Sequence, residues 1–216
     1  MSISNFKSRL ITSLALLIMI YFIFTFNFLL LYFLLVFGTF AIIEFFNISK
    51  KIKSNKFINF TQNLVFVLFV FLFCSLFFLL TNSFQTKVIL FIFLLGCVAS
   101  DIGGFVVGKI FKGPKLTNIS PKKTLSGAFG SILFSIIVIN LLFFYIFQSY
   151  SLNLLLIAIF TSIGCQLGDL VFSFLKRKAK IKDTGKFLPG HGGVLDRLDG
   201  ILVGVPVGLI TSIKFI

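Results

Sequence analysis

The feature that most constrains this chain is a series of apolar runs, each near the length of a bilayer crossing, with the charges confined between them. A span takes about 20 apolar residues, and on that basis seven are expected. The first two share the run from Leu10 to Ile48, with a tight turn near Asn27. The others run Phe57 to Leu80, Lys87 to about Gly108, Pro121 to Phe147, Leu152 to Leu175, and about Leu198 to Ile213. Of the 216 residues, 58% are hydrophobic and only 12% charged, whereas a soluble domain is nearer half apolar and a quarter charged. The expected fold is therefore all-α: a polytopic membrane helix bundle of about seven transmembrane helices forming a single integral membrane domain, 1–216. Within it, residues 1–98 read mainly as scaffold spans and 99–200 as catalytic spans and cytoplasmic loops.

The loops test the count. Lys7 and Arg9 precede the first span. Lys50, Lys51, Lys53 and Lys56 follow the second, and Lys109, Lys112, Lys115, Lys122 and Lys123 follow the fourth. Lys176, Arg177, Lys178, Lys180, Lys182, Lys186 and Arg197 follow the sixth. Eighteen of the 20 basic residues thus fall on one side, and only Lys87 and Lys214 on the other. The positive-inside bias places that side, and the N-terminus, in the cytoplasm. The net charge of +14 reads as topology rather than nucleic-acid binding, because the cations lie in short loops and share no soluble face. The first apolar run is longer than a signal core and no small-residue site closes it, so it is expected to be retained. Cys74, Cys97 and Cys165 are isolated within apolar runs, with neither metal nor disulfide spacing.

Against this background the acids stand out. There are six, and five of them, Asp101, Asp169, Asp183, Asp196 and Asp199, lie in the second half. A carboxylate beside a membrane is costly and is a functional candidate by default. Asp196 and Asp199 are three apart, so a helix starting near them puts both on one face, near its N-terminus. Pro189-Gly190 and Gly192-Gly193 flank His191, the one histidine, in a turn whose exposed backbone N–H groups suit anionic oxygens. Lys176, Arg177, Lys182 and Arg197 can neutralise phosphates. A solvated basic loop would explain the lysines but neither the acids nor the glycine turn. Clustered carboxylates among lysines point to a divalent cation with phosphates around it.

Asp169 sits late in the sixth span, with Ser173 four residues on and on the same helical face; a metal shared with Asp196 or Asp199 is the expected partner, a snorkelling Lys the ordinary one. Asp101 lies in a segment where Gly103-x4-Gly108-Lys109 has the outline of a P-loop. Ile110 replaces the Ser or Thr, and the context is an apolar span, so that reading is rejected. Gly104-x3-Gly108 instead allows close helix contact. Ser120-Pro121-Lys122-Lys123-Thr124 reads as a helix start, Ser as N-cap and Pro at the first position. Its lysines, set against the helix dipole, make sense if a phosphate binds there. Glu44 is expected to pair with a loop Lys.

The segment Ser173 to Asp199 resembles the signature of the phosphatidate cytidylyltransferases (CDP-diacylglycerol synthases): Ser173, then Lys176-Arg177, Lys182-Asp183, Pro189-Gly190-His191-Gly192-Gly193 and Asp196-Arg197-Leu198-Asp199. Ser100-Asp101 with Phe105 and Gly108, Ser120 to Thr124 with Gly127, and Gly168-Asp169-Leu170 resemble the family's other blocks. The likeness covers roughly Ser100 to Gly200. Phe172 departs from a Glu usual in that neighbourhood, Lys180 stands where a Gly is usual, and Gly200 where a Ser is usual. The chain is also shorter than is usual, which implies a reduced N-terminal region.

The resemblance implies that CTP and phosphatidic acid give CDP-diacylglycerol and pyrophosphate. It implies Mg²⁺ on Asp169, Asp196 and Asp199, with a second cation left open. Lys182, Asp183, Arg197 and His191 would join Asp196 and Asp199 in catalysis, and Asp101, Ser120, Lys122, Lys123, Thr124, Lys176 and Arg177 would bind substrate. A bacterial inner membrane, with the site facing the cytoplasm, is implied; membrane lipids are expected partners, nucleic acid is not, and Gly and Phe faces could pack a homodimer. Two alternatives stay open: a CTP-dependent enzyme for another membrane lipid, and an anion transporter, for which no inverted repeat is visible. The Asp-Gly-x2-Ala-Arg block of the amino-alcohol phosphotransferases is absent.

Overall fold

The computed structural model describes residues 18–52, 55–117, 119–185, 187 and 192–215. Lys7, Arg9, Lys53, Lys186, Pro189, Gly190 and His191 lie outside the described residues. A helical stretch at residues 18–25 (α1) is followed by α2 (Asn27–Lys51), α3 (Lys56–Leu80), α4 (Phe84–Phe111), α5 (Leu125–Phe147), α6 (Asn153–Lys178) and α7 (Leu195–Phe215). An isolated bridge joins Lys115 and Thr124, and no strand is formed among the described residues. The fold is all-α, and α2 to α6 are long and apolar enough to cross a membrane. The break between α1 and α2 falls at Phe26, one residue from the expected turn. Basic residues close α2 (Lys50, Lys51) and α6 (Lys176, Arg177, Lys178), where they complement the negative ends of the helix dipoles.

The chain forms two compact units. The first holds Met1–Thr81 and Leu175–Leu198. In it α2 packs on α3: Phe45 stacks on Phe66 with centroids 3.9 Å apart, and Gly38 lets α2 approach Cys74 and Val70. The outer face of α3 stays bare, with Phe57, Phe60, Phe71 and Leu79 all more than 60% exposed. An apolar surface of that extent suits lipid rather than water.

The second unit holds Asn82–Phe174 and Asp199–Ile216. Its tightest joint is α4 on α5. A Cβ on Gly104 would strike Ser131 Oγ at 2.5 Å, and one on Gly108 would come within 2.9 Å of Thr124 Oγ1. The Gly104-x3-Gly108 pair therefore serves close helix contact, as expected, and the P-loop outline is absorbed into the continuous helix α4. Hydroxyls tie the layers where lipid offers no partner: Ser100 and Ser162 oxygens lie 2.9 Å apart, and Ser135 donates to the Ala158 carbonyl at 3.3 Å.

The expected start of the fifth span needs correcting. Thr124, not Ser120, is the N-cap of α5, its hydroxyl accepting from Gly127 N at 3.1 Å. Ser120-Pro121-Lys122-Lys123 forms a turn instead, closed by Lys123 N donating to Ser120 O at 3.0 Å. Pro at the second position suits such a turn as well as a helix start. The backbone pairings Leu116 N to Lys123 O and Leu125 N to Pro114 O decide between them. They pair residues 114–116 with 123–125, and α5 begins from that pairing.

Candidate active site

In the first unit Lys176, Thr184 and Gly193 converge on Asp196. Helix α6 stops by a left-handed turn at Lys180 (φ 56°), with Lys180 N bonded to Arg177 O and Ile181 N to Lys176 O; this is a usual way to satisfy the last carbonyls of a helix. The reversal lets Lys176 Nζ reach Asp196 Oδ1 at 2.8 Å. Asp196 Oδ2 accepts from Thr184 N at 2.8 Å and Gly193 N at 3.0 Å. Burial raises the pKa of this carboxyl, but the hydrogen bonds from Lys176, Thr184 and Gly193 and the Lys176 charge outweigh it. The group is held below the usual carboxylate range.

A second carboxylate lies under the same turn. Glu44, from α2, is 6% exposed. Its Oε1 accepts from Val194 N at 3.0 Å, and its Oε2 from Leu195 N at 2.8 Å and Thr184 Oγ1 at 2.7 Å. Thr184 Oγ1 also stands 3.0 Å from Asp196 Oδ2, so its single proton is shared between two carboxylates. The expected Glu44–Lys pair is thus replaced by backbone capping. The first N–H groups of a helix have no intrahelical partner, and a buried carboxylate at that end satisfies two of them. Gly185 and Gly193 are close-approach residues here, since a Cβ on either would collide with the Glu44 carboxylate. Gly192 needs its freedom for another reason: its φ is +88°. The signal in the sequence was the cost of one acid in a long apolar run; its partners lie some 140 to 150 residues away and left no local mark.

In the second unit Asp169 forms an ion pair through Oδ2 with Lys123, from the turn before α5, and accepts from Ser173 Oγ at 3.2 Å. Ser173 thus shares its face of α6, as expected. Asp199 is 7% exposed and accepts from Gly200 N at 2.9 Å. Gly168, beside Asp169, has no side chain because the Asp199 carbonyl occupies that space, so α6 and α7 touch where these two acids sit. Asp101 receives a weak contact from the Cys165 thiol at 3.6 Å.

Helix α7 begins at Leu195, so Asp196 and Asp199 both lie in its opening turns and share a face. Lys122, Arg177, Lys182, Asp183 and Arg197 are solvent-exposed, and Ser120 and Thr124 half-buried. Arg177 Nη1 reaches Ile181 O at 3.5 Å. Among the described residues no group of three or more His, Cys, Asp or Glu is gathered as a metal shell. The carboxylates are instead neutralised by lysines and backbone N–H groups. The acids present are hard oxygen donors, the kind Mg²⁺ takes, and Asp169, 30% exposed, is met by the Lys123 ammonium.

The three departures have local readings. Lys180 occupies the left-handed region, which a Gly adopts at less cost. A Cβ on Gly200 would lie 2.6 Å from Cys165 Sγ, so Gly200 lets α7 lie close to this cysteine of α6. Phe172 is 5% exposed and packs as a core residue.

Comparison with known proteins places the chain in a family. The cytidylyltransferase family model matches residues 5–213. The phosphatidate cytidylyltransferase of Staphylococcus haemolyticus is 42% identical over 134 residues, 61% of this chain and 51% of that protein. That of Helicobacter pylori is 44% identical over 126 residues, covering 55% and 44%. That of Mycobacterium bovis is 41% identical over 133 residues, covering 61% and 43%. The aligned part spans about half the length of these curated relatives. With the family model covering nearly its whole length, this chain belongs to the cytidylyltransferase family.

Proposed function

We propose that this chain transfers the cytidylyl group of CTP to phosphatidic acid, giving CDP-diacylglycerol and pyrophosphate. The observation that carries the reading is the knot of Lys176, Thr184, Gly193 and Asp196, built from the residues that resemble the phosphatidate cytidylyltransferase signature. The named relatives support the choice of lipid.

In the proposed reaction a phosphate oxygen of phosphatidate attacks the α-phosphorus of CTP, and the bond to the β-phosphate breaks. The phosphatidate phosphate needs no strong general base, because its second pKa should lie near ~6, like other phosphomonoesters. The obstacle is repulsion between two polyanions and charge on the departing pyrophosphate, which fixed cations address. Lys122, Lys123, Lys176, Arg177, Lys182 and Arg197 would hold phosphates. Mg²⁺, when bound, would supply charge neutralisation at the triphosphate. Asp169, Asp196 and Asp199 would hold it. Asp101, Asp183 and His191 would orient these groups.

The same reading takes α1 and α7 as spans in addition to the five apolar helices, with the N-terminus and the site on the cytoplasmic face of a bacterial inner membrane. The test is purified protein with labelled CTP and phosphatidic acid. A lipid-soluble CDP product supports the reading; vesicle flux of anions without product supports a transporter instead.

A further inference from the structure

Glu44 takes no part in the chemistry proposed above, yet both of its carboxylate oxygens are engaged. It is buried, and it accepts three hydrogen bonds: from Val194 N, Leu195 N and Thr184 Oγ1. All three donors border Asp196. Val194 and Leu195 begin the helix whose first turn carries it. Thr184 donates its backbone N–H to Asp196 Oδ2 and places its hydroxyl between the two acids. Gly185 and Gly193 leave room for the Glu44 carboxylate and nothing larger. A charge buried at this depth is tolerated only when its acceptors are filled, and here filling them fixes the start of α7 and the Thr184 loop together.

We infer that Glu44 is a positioning residue: it acts through Thr184 and the first turn of α7 to hold Asp196 in place for cytidylyl transfer. The inference rests on the function proposed above. It assigns a role in the reaction to α2, far from the signature in sequence.

The test uses the full chain in detergent, with Glu44→Gln as the main variant. Gln keeps the shape but turns one acceptor oxygen into an NH₂ that faces a donor. Hydrogen exchange is read at Thr184 and at residues 193–196. Turnover is read with labelled CTP and dioleoyl phosphatidate, per monodisperse folded protein. The expected result is exchange at those amides faster by roughly 10-fold or more, the loss of charge-assisted hydrogen bonds, with α3 and α5 unchanged. kcat falls by a similar factor while KM for the lipid stays within about 2-fold, since Glu44 touches no substrate. Glu44→Asp, which keeps the charge, recovers part of kcat. Should Glu44→Gln fail to fold, Thr184→Val cuts the link between the acids while keeping the backbone caps, and is expected to lower kcat alone. Unchanged exchange at 193–196 overturns the inference, as does a loss of folded yield with normal kcat. Wild-type protein that makes no product defeats the proposed function instead, and the exchange measurement still decides whether Glu44 holds the turn.

Discussion

Lys176 Nζ lies 2.8 Å from Asp196 Oδ1, and this ion pair ties the last turn of α6 to the first turn of α7. It is mostly sheltered, with the two side chains 12% and 8% exposed. Removing one partner of so sheltered a pair leaves the other charge uncompensated.

The pH dependence of this joint follows from Asp196. Its folded pKa is depressed, so its contribution is fully present above the ordinary Asp value of 3.8 and is lost as pH falls through the lower folded value. Amide protection of residues 193–197, corrected for intrinsic exchange, is expected to stay flat from neutral pH down to that range and to drop below it. Asp196→Asn should abolish the step.

Lys180→Gly should stabilise the protein. The left-handed conformation at φ 56° costs a side-chain-bearing residue about 1 kcal/mol or more, offset in part by the greater freedom of an unfolded glycine. A gain of roughly 0.5–1 kcal/mol, seen as a higher melting midpoint in detergent, is expected without change in turnover. An unchanged or lower midpoint would show that Lys180 compensates elsewhere.

Gly168→Val should do the reverse. The space of the missing side chain is filled by the Asp199 carbonyl and Val203, so a larger residue pries α6 from α7 where Asp169 and Asp199 lie. The expected cost is about 1–3 kcal/mol, with turnover falling further than stability. The check is thermal midpoint and kcat measured on the same preparation.

Much of this was legible in the sequence. Apolar runs located α2 to α6, since length and hydropathy decide what can cross a bilayer. The i, i+3 spacing of Asp196 and Asp199 held because α7 starts at Leu195, and Gly104 and Gly108 mark a real helix contact. Features set by distant partners were not legible. Ser120 and Thr124 are both good caps, and only the pairing of residues 114–116 with 123–125 chooses Thr124. Glu44 resembled an interfacial acid awaiting a lysine, because nothing near it in sequence shows that Val194 and Leu195 present their N–H groups there.

The most direct test is turnover by Asp199→Asn, assayed with labelled CTP and phosphatidate with Mg²⁺ present and then in excess EDTA. Wild-type protein should make a lipid-soluble CDP product only with the divalent ion, and the variant, folded and membrane-inserted, should lose at least ~100-fold in kcat, the scale on which groups stabilising transition-state charge act. Wild-type-like turnover by the variant, or full activity of the native chain in EDTA, would contradict a carboxylate-held metal at the heart of the reaction.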